Sequence, residues 1–181
     1  MKRVLVTGCA GFIGSHLVER LLQADNDVIG IDCFTDYYPE EQKLANLSHA
    51  LHQERFTLIR RDILEMDRFP HVDHVFHMAA QPGVRASWGA NFTIYTKNNI
   101  EATQRLLESY RAVELKSFIY SSSSSVYGDA ELPMNEDARP LPFSSSGSSN
   151  TVASPLGNNS GTMEGAVLSA FASRSCCSLR M

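Results

Sequence analysis

Short apolar runs alternate along this chain with longer stretches in which apolar residues recur every three or four positions. Lys2 to Thr7 reads as a strand that breaks at Gly8, and from Phe12 onward, with Ser15 to Gln23 amphipathic, the pattern is helical. Val28-Ile29-Gly30-Ile31 is a second strand ending at Asp32. A helix is expected from Glu40 or Glu41 to about His52, with Leu44, Leu47 and Leu51 on one face. Phe56 to Arg60 alternates as a third strand and leads to Asp62-Ile63, and Asp73 to Met78 gives the fourth. A long helix follows Asn91, its apolar side built from Ile100, Leu106, Leu107 and Tyr110. Ser117 to Tyr120 is the fifth strand, running into serines and then Val126-Tyr127-Gly128. Strands alternating with helices predict a Rossmann-like, doubly wound α/β fold. Its parallel sheet has the order 3-2-1-4-5 and is covered on both faces, with a ligand crevice at the strand carboxyl ends.

The pattern fades after Phe143. From Ser144 to Met181 serine dominates and only three charges remain, Glu164, Arg174 and Arg180. Pro155 and several glycines interrupt the segment, and helical periodicity is poor before Ala166 to Phe171. The domain reading is a dinucleotide-binding domain over 1–143, then an irregular Ser-rich tail over 144–181 that leaves the fold incomplete.

Composition narrows the function classes. The chain has 181 residues, 43% of them hydrophobic, and a net charge of −4, with no basic stripe of the kind nucleic acid requires. It opens on a strand and no apolar run reaches spanning length, so neither a signal peptide nor a membrane segment is expected. Cysteines at 9, 33, 176 and 177 match neither metal-site spacing nor a secreted disulfide framework, which predicts reduced thiols in the cytoplasm and no metal.

The candidate chemistry begins at Gly8-Cys9-Ala10-Gly11-Phe12-Ile13-Gly14. Three glycines at three-residue spacing, between a strand and a helix, let backbone N–H groups approach a pyrophosphate at the positive end of the helix dipole. Glycine-rich turns also serve plain packing, and context separates the two readings. Asp32 stands at the tip of the second strand, where a carboxylate can accept hydrogen bonds from both adenosine ribose hydroxyls and would repel a 2′-phosphate. NAD is therefore the expected cofactor, in preference to NADP.

Further motifs follow in order: Asp62-Ile63, His77-Met78-Ala79-Ala80-Gln81, Asn99-x-x-x-Thr103 and Ser121 to Gly128. With the glycine turn and Asp32 they resemble the extended short-chain dehydrogenase/reductase family, specifically its NAD-dependent sugar-nucleotide epimerases and dehydratases. Asp36-Tyr37-Tyr38 together with Ala79 to Arg85 is most similar to the UDP-glucuronate 4-epimerase branch, with UDP-glucose 4-epimerases close behind. The likeness covers roughly residues 2 to 143. It implies that Gly8, Gly11, Phe12, Ile13 and Gly14 surround the pyrophosphate, that Asp32 holds the ribose and that Asp62 and Ile63 border the adenine. It implies further that Ala79 and Ala80 keep the cofactor passage open and that Asn99 fixes the region after the fourth strand through backbone hydrogen bonds. Each has a plainer alternative: Asp62 as a loop cap, the alanines as helix–sheet packing, Asn99 as an ordinary helix N-terminal asparagine. Arg85 offers a planar fork of donors to a diphosphate or a hexuronate carboxylate, although surface arginines are common and a solvated structural role competes. His77 reads as a packed residue. The family also implies a UDP-sugar substrate and a homodimer formed through the helix after Asn91.

The catalytic segment departs from the family. In these epimerases a tyrosine removes the hydroxyl proton, helped by a lysine four residues on, and a serine or threonine hydrogen-bonds the reacting oxygen. Ser123 matches the last role, with Ser124 as the alternative register. No tyrosine here has a lysine four residues later, and the last lysine is Lys116. Matching the usual Pro-x-Ser-Pro-Tyr-Gly-x-x-Lys segment to Pro142 through Asn150 puts Ser146 and Asn150 in place of the pair. The expectation is an epimerase by descent, impaired as written, with its substrate lobe absent and its tail the product of a shifted reading frame or a truncated gene copy. Competing readings are a non-catalytic NAD-binding module and an unstable fragment with an exposed sheet edge.

Overall fold

Val4, Leu5 and Val6 are each buried, yet they belong to two different cores. Side chains alternate across a strand, so Leu5 of β1 (Arg3–Thr7) packs with Val75, Leu106 and Phe118 on one face of the sheet. Val4 and Val6 pack with Val18, Leu22 and Leu47 on the other. A strand with both faces covered belongs at the centre of a parallel sheet. The computed structural model, which describes residues 1–129, 139, 141–153 and 167–173, places it there.

β1 pairs in parallel with β2 (Asp27–Asp32) on one side and β4 (His74–His77) on the other. β3 (Phe56–Arg60) lies outside β2, and β5 (Ser117–Ser123) outside β4. The expected order 3-2-1-4-5 stands. Asp73 ties the amino-terminal edge together, accepting from Arg3 N at 2.8 Å and from Lys116 Nζ at 2.6 Å. The lysine contact, then the backbone N–H, hold its carboxyl down at about 2.

α1 (Phe12–Gln23) covers one face with Gly14, Ser15, Val18 and Leu22. The other face is covered by a continuous helical stretch: α3 (Phe92–Tyr95), a wide π-helical turn over Thr96–Glu101, and α4 (Ala102–Tyr110).

Three expectations need correction. α2 (Glu40–Leu47) is followed by a separate 3-10 turn at Ala50–His52, and the buried ridge is Lys43, Leu47 and Ala50. Leu44 and Leu51 face solvent, since Lys43 takes the inward position by sending its Nζ to Thr35 O at 2.7 Å. β5 continues three residues beyond Tyr120, because parallel pairing carries the backbone on through Ser123 whatever its side chains. The tail is not irregular throughout: Ser145–Ala153 forms α5, and Val167–Ser173 forms β6, pairing in parallel with the whole of β5. Backbone groups left open along β5 supply the reason, since an edge strand offers an unpaired ladder to any extended segment. Among the described residues no helix is long and apolar enough to cross a membrane.

Candidate functional site

The carboxyl ends of β1, β2 and β4 meet at the glycine turn. Leaving β1, the chain reverses at Gly8 with φ +67°, and Gly8 N donates to Ile31 O at 2.8 Å. A Cβ on Gly8 would press within 2.8 Å of the Ala79 backbone, and one on Gly14 would overlap the Gly8 carbonyl oxygen. The two glycines are thus demanded by close backbone approach, which seats the start of α1 against the strand ends. Gly11, at the helix N-cap, brings no side chain to the first N–H groups, and Phe12 and Ile13 are 74% and 60% exposed. With no side-chain cap at Gly11, the first N–H groups of α1 are left to a ligand, which fits a pyrophosphate.

Asp32 faces this turn. Its Oδ2 accepts from Ala10 N at 3.1 Å and its Oδ1 from Phe34 N at 2.8 Å, while the residue stays partly accessible. Each carboxylate oxygen keeps capacity for a further donor, so ribose hydroxyls can be added without breaking either bond. The Ala10 carbonyl is held in turn by Tyr38 Oη at 3.3 Å and Asn46 Nδ2 at 3.0 Å. Burial, and then the Asp32 charge, push up the Tyr38 hydroxyl. Lys43 Nζ lies 5.0 Å from the Tyr38 ring centre, a cation–π contact that braces the same loop. Asn46 and Lys43 were not legible as site residues: one resembles any polar helix position, and the other occupies a place the leucine pattern assigns elsewhere.

Asp62 is a cap, with Oδ1 accepting from Leu64 N at 2.9 Å, and its Oδ2 also pairs with Lys97 Nζ at 3.3 Å. Ile63 is buried beside it. Cys33 lies within the field of both acids: burial, then Asp32 and Asp62, raise its thiol pKa. Cys9 is fully buried, and burial followed by Asp32 pushes its thiol up as well. Both thiols are free, and Cys176 and Cys177 lie outside the described residues. Among the described residues no group of three or more His, Cys, Asp or Glu could hold a metal ion.

On the β4 side, Ala79 is half-buried and Ala80 exposed. Ala79 N donates to Thr7 Oγ1 at 3.2 Å. Thr7 Oγ1 lies 2.6 Å from His77 Nδ1, and His77 Nε2 lies 2.9 Å from Thr103 Oγ1, which donates to Asn99 O at 2.7 Å. Since Thr103 gives its own proton to Asn99 O, His77 Nε2 is the donor in its contact with Thr103. Burial depresses its pKa to about 4. Asn99 then reaches Gln81 twice, accepting from its N at 2.7 Å and donating to its O at 3.3 Å. Arg85 is exposed on a short turn, Arg85–Ser87.

The β5 end is built of hydroxyls. Ser123 Oγ accepts from Ser125 N at 3.2 Å and lies 2.8 Å from Ser125 Oγ, capping the turn Ser124–Tyr127. Ser124 is half-buried in that turn. α5 packs alongside, and Ser146 and Asn150 are buried on its inner side. Tyr120 Oη donates to Asn150 Oδ1 at 3.1 Å, and Asn150 Nδ2 donates to Ser146 O at 3.0 Å. Asn99 Nδ2 donates to Ser149 Oγ at 3.1 Å, and Ser149 Oγ to Ser146 O at 2.9 Å. The structure therefore brings α5 to Asn99 and to β5, and it ties the Asn150 side chain into protein hydrogen bonds. Burial pushes the Tyr120 phenol up to about 12, far from a useful base.

A model of the NAD dependent epimerase/dehydratase family matches residues 4–150. The chain is 46% identical over 146 residues to a protein of Bacillus subtilis named uncharacterized UDP-glucose epimerase YtcB, covering 78% of this chain and 46% of that one. It is 32% identical over 177 residues to a UDP-glucuronate 4-epimerase of Thermodesulfobacterium geofontis, covering 94% and 51%. Among solved structures, UDP-glucuronic acid 4-epimerase from Bacillus cereus, in complex with UDP-glucuronic acid and NAD, superposes with a TM-score of 0.82. That match has 42% identity and covers 86% of this chain and 51% of that one. The chain spans about half the length of the relatives it matches.

Proposed function

The chain belongs to the NAD dependent epimerase/dehydratase family, and from that premise we propose that it binds NAD in the manner of a UDP-hexuronate or UDP-hexose 4-epimerase but, as written, does not complete the reaction. One observation carries the binding half: the Asp32 carboxylate is turned onto the glycine turn, 3.1 Å from Ala10 N. The likeness to a 4-epimerase complex with NAD and UDP-glucuronic acid supports the same reading. In this reading Gly8, Gly11, Phe12, Ile13 and Gly14 surround the pyrophosphate, and the donors are the N–H groups in the first turn of α1, since Gly8 N and Gly11 N already donate to Ile31 O and Gly8 O; Asp32 takes the adenosine ribose. Asp62 and Ile63 border the base, and Ala79, Ala80 and Asn99 shape the passage toward the nicotinamide. Residues 1–143 carry this binding function, in a cytoplasmic setting. Arg85 is the candidate for the substrate's negative charge.

Bound NAD⁺ supplies a hydride acceptor for a sugar carbon. What the chain must add is a base for the hydroxyl proton, and the relevant positions lack one. Ser123, or Ser124, can hydrogen-bond the sugar oxygen. Ser146 ionises too weakly to take the proton, and Asn150 carries no charge to lower a neighbour's pKa. A missing acid–base group costs about 10²–10⁴-fold in rate.

Two measurements separate the halves of this proposal. Calorimetric titration with NAD should give saturable binding, and its absence would overturn the cofactor assignment. Incubation with NAD and UDP-glucuronate should yield no UDP-galacturonate above a protein-free control, and turnover at the rate of a Tyr–Lys enzyme would overturn the impairment.

A further inference from the structure

The ion pair between Lys97 and Asp62 lies outside every role assigned so far. It joins residues 35 apart in sequence, one in the wide turn of the helical stretch and the other just beyond β3. The sheet order places β3 outside β2. If the pyrophosphate sits at the β1 turn and the ribose at the β2 tip, the base extends toward the β3 end, where Asp62 stands. Asp62 is held from both sides: Leu64 N at 2.9 Å on Oδ1 and Lys97 Nζ at 3.3 Å on Oδ2. Its side chain is nevertheless 22% exposed, so a lone pair remains accessible to a further donor. A carboxylate fixed in this way accepts from the exocyclic amine of adenine, and the fixing falls to Lys97, because the Leu64 bond alone leaves one oxygen free to swing.

We propose that Lys97 is a positioning residue for base recognition: by clamping Asp62 Oδ2 it orients the carboxylate toward a purine that presents an amino group at position 6. The inference rests on the NAD reading above and adds a residue to it. Residues two apart in a helical stretch do not share a face, so Lys97 reaches Asp62 while Asn99 reaches Gln81 and Ser149.

The test compares NAD with nicotinamide hypoxanthine dinucleotide, which carries a carbonyl where adenine has its amine. Affinities of both are measured by calorimetry for the wild-type chain, Lys97→Met, Lys97→Arg, Asp62→Asn and the double variant. The lysine side chain is 51% exposed, and circular dichroism confirms that each variant is folded. Lys97→Met should weaken NAD about threefold, the scale of a partly exposed ion pair, and leave the hypoxanthine analogue within twofold. Lys97→Arg should restore the preference. In the Asp62→Asn background the methionine should have no effect, since Lys97 acts only through Asp62. Equal weakening of both ligands, no weakening of NAD, or an effect that survives Asp62→Asn would overturn the inference while leaving NAD binding intact. Failure of the wild-type chain to bind either ligand would overturn the NAD reading and this inference with it.

Discussion

Replacing His77 by glutamine tests how the floor of the crevice is held. His77 is 1% exposed, and its ring bridges Thr7 of β1 and Thr103 of α4. Both hydroxyls are committed elsewhere, Thr7 accepting from Ala79 N and Thr103 donating to Asn99 O. Complete burial disfavours the charged ring, with a pKa near 4 in the fold against an ordinary value of 6.5. Between these values the unfolded chain binds a proton that the folded chain refuses. Stability thus rises with pH across the window and is lost as pH falls from about 6.5 toward about 4. The full loss is about 3 kcal/mol, and about 2 kcal/mol of it is gone by pH 5, a large share of a domain's usual reserve. His74 is also depressed, by burial first, so the wild type alone does not isolate His77. Urea unfolding of wild type and His77→Gln at pH 7.5 and pH 5.0, at one ionic strength, isolates the difference. Glutamine keeps one donor and one acceptor but does not titrate. The wild type should lose about 2 kcal/mol more than the variant between the two conditions. Equal losses, or a His77 resonance titrating near 6.5, would refute the buried neutral histidine.

Other substitutions probe separate contacts. Gly14→Ala forces a Cβ onto the Gly8 carbonyl, so the turn must open; thermal unfolding should show a loss of at least 1–3 kcal/mol, roughly the range for overpacking, and NAD titration should show no binding. Tyr120→Phe leaves the buried Asn150 Oδ1 without its donor and should cost about 1–3 kcal/mol in chemical denaturation. Asn46→Ala removes one of two donors to the Ala10 carbonyl, and should weaken NAD severalfold in calorimetry while leaving the fold intact by circular dichroism.

The sheet was legible because each of its five strands carries a short apolar stretch and helical periods separate most of them. Burial on both faces leaves β1 and β4 little choice of residue. The glycine turn and Asp32 were legible for a related reason: only glycine fits where Gly8 and Gly14 pass other backbone, and a carboxylate at a strand tip is conspicuous. Bracing residues were harder to see. Lys43 occupies an inward position through a carbonyl contact and the Tyr38 ring, which apolar periodicity cannot register. Lys97 meets Asp62 across 35 positions of sequence, a contact no local pattern registers. α5 was missed because a serine-rich sequence shows no amphipathic stripe, and β6, Val167–Ser173, falls where the apolar pattern over Ala166 to Phe171 reads as helical. They form by pairing with β5 and by hydroxyl and amide hydrogen bonds, as between Asn99 and Ser149.

The account rests on the turn and its carboxylate choosing one adenosine ribose over another. Parallel calorimetric titrations of the wild-type chain and Asp32→Ala with NAD and NADP examine that choice directly. The wild type should bind NAD and reject NADP by at least tenfold, about 1.4 kcal/mol, and the variant should lose NAD affinity and with it the discrimination. Equal affinity of the wild type for the two ligands, or an unchanged preference after removal of the Asp32 carboxylate, would contradict it.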